Sequence, residues 1–226
     1  MAMTNLKNSY MSIISKQHEQ QLCAGLKELK VNFDEQQIEQ LKSYLVLLNK
    51  WNKTHNLTAI TDIQQMIDLH ILDSLSVLSA INGQNLLDVG SGAGLPGLII
   101  AIFKPAVQIN SVDTRGKKIQ FQQLAAATLG LNNFQAIHSR VEEYQVTEYY
   151  DQIVSRAFSS LENFIQWTKH LLHADGEWLA MKGQLPQDEL KVLVDQYALQ
   201  PDSIKTLQLP NVRAERHLLT FKPIKL

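Results

Sequence analysis

Residues 86–97 read Leu-Leu-Asp-Val-Gly-Ser-Gly-Ala-Gly-Leu-Pro-Gly. A short apolar run suits a buried strand. The glycines after it let the backbone turn sharply and approach a neighbour with no Cβ in the way. Pro96 fits the first turn of a helix, where its missing N–H costs nothing. The stretch therefore predicts strand, tight turn and helix, with the helix over Leu95–Phe103. Its N-terminus would offer free N–H groups and a partial positive charge. A strand that enters a helix this way is the repeating unit of a parallel α/β sheet.

The residues around it agree. From Gly83 onward short apolar runs alternate with helical stretches. Strands are predicted over Asn85–Val89, Gln108–Asp113, Phe134–His138, Gln152–Ser155 and Glu177–Met181. Further helices are predicted over Lys117–Leu129, Leu161–Leu172 and Pro186–Tyr197, with Gly130 placed for a C-cap. Two last strands, Ser203–Leu209 and His217–Phe221, leave no room for a helix between them and should be antiparallel. The first third reads as helices. Leu22, Leu26 and Leu29 recur at helical spacing between Lys16 and Lys30. Asp34 with Gln37 resembles a capping box ahead of Ile38, Leu41, Leu45, Leu48 and Trp51. Asp62 with Gln65 repeats it ahead of a helix from Met66 to Leu78. The expected organisation is a helical extension over 1–82 and an α/β domain over 83–226, its sheet seven-stranded and mostly parallel with an antiparallel last strand. The first dozen residues, with Met1, Met3 and Met11 as possible starts, are expected to be a loose tail.

Composition removes several classes. A single Cys23 in 226 residues excludes a disulfide framework within the chain and a Cys-rich metal site. The longest apolar run, Leu98–Phe103, is far too short to span a membrane, and no signal peptide is evident. A cytoplasmic protein, most simply a monomer, is the expectation. Net charge is −1, so a nucleic-acid partner would have to be met by local basic patches. Lys205, Arg213, Arg216, Lys222 and Lys225, with Glu215 as the one acid among them, form such a stretch, although ordinary solvated lysines would look the same.

Gly92, Gly94 and Gly97 formally match the dinucleotide fingerprint, which alone would allow a nicotinamide-dependent oxidoreductase. Asp88 and Asp113 shift the reading toward S-adenosylmethionine. Asp88 stands two residues before Gly90, where Rossmann-like methyltransferases carry an acid toward the methionine end of that cofactor. Asp113 ends the next strand, 19 residues after Gly94, where a carboxylate can accept from ribose hydroxyls. Glu142, after the third strand, can face adenine or be a solvated helix-start acid. A non-catalytic RNA-binding module on the same fold is the third reading.

Several further segments carry a resemblance. They are Trp51-Asn52-Lys53, Asn56-Leu57-Thr58-Ala59-Ile60, His70-Ile71-Leu72-Asp73-Ser74-Leu75, Asp88 through Gly97, Ser155-Arg156-Ala157-Phe158, Lys182-Gly183 and Glu215-Arg216-His217. In their order and spacing, from about Leu41 onward, the chain resembles the bacterial 16S ribosomal RNA guanine-N7 methyltransferases, the RsmG or glucose-inhibited division protein B family. The resemblance implies a class I methyltransferase fold and S-adenosylmethionine as methyl donor, with no metal. It implies 16S rRNA as substrate, within the small ribosomal subunit, methylated at N7 of guanine 527. It also implies cofactor contacts at Gly90, Leu95, Val141, Glu142 and Arg156, beside Asp88, Gly92 and Asp113 from the loop itself, with Arg140 near cofactor or RNA. One departure stands out. The family pattern after the second strand is Asp-Ser-Leu-Gly-Lys-Arg, whereas this chain has Asp113-Thr114-Arg115-Gly116-Lys117-Lys118. The surroundings of the adenosine are the part of the site that this puts in doubt.

Missing motifs narrow the chemistry. Methylation at cytosine C5 needs a thiolate nucleophile, and Cys23 lies far from the loop. Exocyclic amines are commonly methylated beside an Asn- or Asp-Pro-Pro turn, and no Pro-Pro occurs. Guanine N7 has an unprotonated in-plane lone pair, so its methylation mainly needs positioning. Arg156 and Arg140 are the catalytic candidates. Arg156 can meet guanine O6, a phosphate or the cofactor's carboxylate, or else form a structural ion pair with Asp151 or another acid. Lys182 is expected on the same rim of the sheet. His70 and Asp73 read as structural polar groups, Phe158 as packing, and Asn56 is open.

Overall fold

The computed structural model describes residues 13–156 and 158–224. The N-terminal tail, Ala157 and Lys225 therefore lie outside the described residues. Local signals set the first helices. Ser15 caps α1 (Lys16–Glu28), in a reciprocal box closed by His18. Asp34 and Gln37 cap α2 (Glu35–His55) as their spacing predicts, at 2.8 and 3.0 Å. Asn56 ends α2 at φ 49°, the left-handed conformation that Asn tolerates better than most residues. The next helix is less regular than its periodicity suggests. It runs as α3 (Ile63–Met66), a π-helical stretch Ile67–Leu72, and α4 (Asp73–Leu75). A π-helical turn inside an α-helix frequently marks a functional position. A 3₁₀ turn at Leu78–Ala80 follows.

The α/β part contains β1 (Asn85–Val89), α5 (Gly97–Phe103), β2 (Gln108–Asp113), α6 (Gly116–Leu129), β3 (Phe134–His138), β4 (Tyr150–Arg156), α7 (Leu161–Thr168), β5 (Leu172–Lys182), α8 (Gln187–Tyr197), β6 (Ser203–Thr206) and β7 (His217–Phe221). The strands lie in the order β3-β2-β1-β4-β5-β7-β6. β1 to β5 are parallel, and β7 runs antiparallel to both β5 and β6. This is the expected sheet. Its boundaries differ most from the sequence reading at three places. α7 stops at Thr168, whose hydroxyl turns back to the Phe164 carbonyl and also accepts from the Trp178 indole. β5 then starts five residues early. β6 ends at Thr206. Arg156 and Lys182 are consequently the last residues of β4 and β5 rather than residues beyond them.

The first-third helices share a core with one face of the sheet. Leu22, Leu26, Leu41, Met66 and Ile71 pack in one cluster with Leu98 and Ile99 of α5 and Phe121 of α6. Fully burying each such side chain contributes roughly 1.5–3 kcal/mol, so these helices are held firmly against the sheet. Phe164, Trp178, Leu193 and Phe221 fill the opposite face. Chain order reverses between β1 and β4. In open α/β sheets a crevice opens at the C-terminal strand ends at such a point. Here those ends carry the glycine loop and Arg156.

Candidate active site

The glycine loop is built from the strand outward. Gly90, Gly92 and Gly94 all take positive φ, at 68°, 60° and 79°. Asp88, fully buried behind the loop, accepts from Gly97 N–H at 2.8 Å. The start of α5 is thus capped by the chain's own carboxylate rather than left open as the sequence suggests. The other oxygen of Asp88, Oδ1, is buried with no hydrogen-bond partner among the described residues. Burial pushes the Asp88 carboxyl up to about 7, against the opposing pull of Gly97 N–H and the Arg156 charge. Asp113 accepts from Gly92 N–H through one oxygen and from Arg115 N–H through the other, both at 2.9 Å. Lys118 stands 3.7 Å from it. Two residues that sequence reasoning missed complete the support. Buried Gln122 donates to Ser91 Oγ and the Gly92 carbonyl and accepts from Ser111. Tyr44 of α2 donates its buried hydroxyl to the Ala93 carbonyl at 2.9 Å. Only a buried polar residue at an otherwise apolar helix position could have signalled either.

A cleft of about 370 Å³ opens beside this loop, lined by Gly90, Asp113, Arg140, Val141, Glu142 and Phe158 among others. The structure therefore brings together Gly90, Asp113, Val141, Glu142 and Arg140. Arg140 is 60% exposed, paired with Glu142 at 2.9 Å and near Glu143 at 3.8 Å. Gly92 supports the wall through Asp113. Leu95 is placed elsewhere, because its side chain is buried in the helical core away from the cleft. Phe158 covers Gly90 so closely that a Cβ there would lie 2.7 Å from its ring. Its edge-on contacts to Phe164 and Trp167 fit the packing reading.

A second pocket, about 390 Å³, lies on the same rim. Arg156 enters it from the end of β4. Its Nη1 donates to Asp73 Oδ2 at 3.0 Å and to the Leu69 carbonyl at 2.9 Å. Arg216, just before β7, donates through Nε to Asp73 Oδ1 at 3.1 Å. One carboxylate on the π-to-α junction of the helical extension thus bridges two guanidiniums. Asp151, the partner considered for Arg156, is occupied at the opposite end of β4, where it accepts from Gln84 and Asn85 N–H. Lys182 closes the rim, paired with Glu189 at 3.0 Å. His70 accepts from Thr58 through Nε2 and faces the Leu69 carbonyl through Nδ1. Burial first, then the Arg156 charge, pushes it down to about 4, so it is neutral near pH 7. No group of three or more His, Cys, Asp or Glu among the described residues could hold a metal ion. No helix among them is long and apolar enough to cross a membrane.

The family model for rRNA small subunit methyltransferase G, GidB, matches residues 37–219. This chain belongs to that family. Curated relatives named ribosomal RNA small subunit methyltransferase G agree over nearly their whole length. The protein of Pseudomonas syringae pv. tomato is 46% identical over 93% of this chain and 99% of its own. That of Methylobacillus flagellatus is 45% identical over 92% of this chain and 98% of its own. Solved structures share the fold at low identity. The N-methyltransferase NodS from Bradyrhizobium japonicum, in complex with S-adenosyl-L-homocysteine, superposes with a TM-score of 0.55 at 14% identity. It covers 78% of this chain and 100% of that one. A SAM-dependent methyltransferase from Aquifex aeolicus gives 0.55 at 14%, over 70% and 92% of the two chains. The sheet is therefore that of the class I methyltransferases, and S-adenosylmethionine is the cofactor of this family and fold. The residues present fit it. The partnerless buried oxygen of Asp88 suits a cationic or N–H donor. A Cβ added at Gly92 would meet only the end of Lys118, at 3.6 Å, so that face of the loop is open to a ligand.

Proposed function

We propose that the protein transfers a methyl group from S-adenosylmethionine to N7 of a guanine in 16S rRNA, the guanine numbered 527 in that RNA. The observation that carries the reading is the placement of two different clefts on one rim: a glycine-loop cleft with buried acids and a neighbouring pocket with two guanidiniums. S-adenosylmethionine, when bound, supplies a methyl group on a positively charged sulfur. Asp113 and Glu142 hold the ribose and adenine, and the loop around Gly90 and Gly92 admits the rest. Guanine N7 carries no proton, so the chain need provide no base. Its task is alignment, which can supply several orders of magnitude. Arg156 suits that task. Its Nη1 is fixed by Asp73 and Leu69, and its charge also acts on Asp88. An N–H of Arg156 directed at guanine O6 leaves N7 free beside it. Arg140, exposed at the cofactor cleft, takes the smaller part of orienting Glu142 and meeting RNA phosphate. In this reading the division at residues 82/83 separates a helical wall from the catalytic sheet.

The test is incubation of the purified protein with methyl-labelled S-adenosylmethionine and small ribosomal subunits from cells lacking this modification. Label recovered as 7-methylguanosine supports the reading. Label in another nucleoside, or none, overturns it.

A further inference from the structure

Most of the guanidinium donors in the second pocket are not used up. Arg156 spends Nη1 on Asp73 and Leu69, and Arg216 spends Nε on Asp73 and Nη1 on the Glu215 carbonyl. Arg156 Nε and Nη2 and Arg216 Nη2 have no protein partner among the described residues. The two guanidiniums and Asp73 together leave one net positive charge, while Lys182 is balanced by Glu189. Between these polar groups the walls are apolar, with Ile60, Leu69, Met181 and Leu207. A flat apolar body with acceptors at its edge, attached to an anionic backbone, fits such a lining. A purine nucleotide has that chemistry.

We propose that this pocket seats the target nucleotide of the RNA, drawn out of its stack, with Arg216 as a substrate-binding residue and Asp73 as the residue that positions both arginines. The inference rests on the methyl-transfer reading above and adds to it where the acceptor lies and what holds it. Enzymes that act on a base commonly take it out of the stack and read its edge in a closed site. Asp73 is 5% exposed and grips each guanidinium by a separate oxygen, so neither arginine can swing independently. It is supplied by the helical extension, 83 residues from Arg156 and 143 from Arg216 in sequence. The extension thereby becomes part of the acceptor site. Volume is consistent: 390 Å³ falls within the roughly 300–1,000 Å³ usual for small-ligand pockets.

Arg216→Ala is the direct test, read by steady-state methylation of small ribosomal subunits and by calorimetry with S-adenosylmethionine. The expected result is a KM for subunits raised at least about tenfold, with cofactor affinity within about twofold of wild type, a free-energy change of about 1.4 kcal/mol or more. Lys at this position should rescue poorly, since an ammonium cannot hold Asp73 and reach substrate with a planar fork. Asp73→Asn separates positioning from simple charge. It removes a negative charge, so bulk attraction of RNA should rise, yet kcat should fall about tenfold or more. If Arg216→Ala leaves kcat/KM within twofold, the pocket does not seat the nucleotide. If cofactor affinity falls while the subunit KM is unchanged, the pocket serves the cofactor and the proposal is overturned. Should Arg216→Ala melt far below wild type, Arg216→Gln, which keeps the stem and a donor, is read in the same way. Failure of the wild-type protein to methylate at all would instead sink the parent reading.

Discussion

The two clefts on the rim of the sheet are made rigid by opposite means. Around the glycine loop, carboxylates grip neutral backbone: Asp88 holds Gly97 and Asp113 holds Gly92 and Arg115. Around Arg156, a carboxylate grips two cations. The first arrangement sets buried carboxyl groups behind a loop with open faces, which suits a ligand held in close contact with backbone. The second leaves guanidinium edges free, which suits acceptors and phosphate. On the proposed reading the loop serves the cofactor and the arginine pocket the RNA, so different variants should damage different affinities.

The largest effect is expected at Arg156, which ends β4 and lines the arginine pocket. Arg156→Ala should lower single-turnover methylation of small subunits, at saturating cofactor, by about 100-fold or more, a barrier increase of about 2.7 kcal/mol, because the planar fork proposed to align guanine is lost. Asp73 keeps Arg216 in that variant, so melting should fall by only roughly 2–8 °C. Near-wild-type methylation would make Arg156 purely structural. A collapse of Tm that accounts for the inactivity would do the same.

Asp113→Ala should act on the other side of the comparison. It removes the proposed ribose contacts and frees Gly92 N–H, so S-adenosylmethionine affinity measured by calorimetry should weaken about tenfold or more. The subunit KM at saturating cofactor should hardly move. An affinity loss below about twofold would hand the ribose to another acid.

pH sharpens the contrast between a buried acid and a buried base. Asp88 has its folded pKa raised to about 7 from an ordinary 3.8, so the folded state keeps a proton that the unfolded chain has lost. Its contribution to stability therefore declines as pH rises from about 4 to 7. His70 is lowered to about 4 from 6.5, so its contribution grows as pH rises over nearly the same window. The two oppose each other in the wild type. Asp88→Asn should leave the His70 slope alone, and the melting temperature of that variant should climb more steeply between pH 4 and 6.5 than that of the wild type. Parallel pH profiles for the two proteins would refute the buried-acid picture.

Arg140 should matter least. It is exposed and paired only at the surface, where such pairs contribute about 0–1 kcal/mol. Arg140→Ala should change kcat/KM less than about threefold at moderate salt. A loss comparable to that of Arg156→Ala would move the chemistry toward the cofactor cleft.

The same contrast explains what could be read before any coordinates. In the loop cleft the decisive contacts are short-range: Asp88 to Gly97 spans nine residues and Asp113 to Gly92 twenty-one. A strand, a glycine turn and a helix carry their geometry in local sequence, so the acids and glycines announced themselves. Gln122 and Tyr44 did not, because a polar group buried on a helix looks like a surface residue until its neighbours are known. The arginine pocket depends on chain segments more than eighty residues apart. Asp73 read as a structural polar group and Arg216 as one of several basic tail residues, and nothing local joined them. For Leu95 the resemblance implies a cofactor contact, and its apolar side chain packs in the core, which leaves only its backbone for such a contact. The π-helical turn was equally invisible, since its apolar spacing is also that of an ordinary helix. The parallel character of the sheet and its antiparallel end followed from alternation of strands and helices and from the missing helix before β7, whereas the strand order is set by long-range pairing.

The central claim, methylation of one guanine at N7 through paired clefts, is tested most directly by mapping modified nucleotides in small-subunit rRNA from cells with the gene, without it, and with it restored. The account predicts that one guanine, at position 527, loses its N7 methyl group on deletion and regains it with the wild-type gene but not with Arg156→Ala. An identical modification map in all four strains would contradict it.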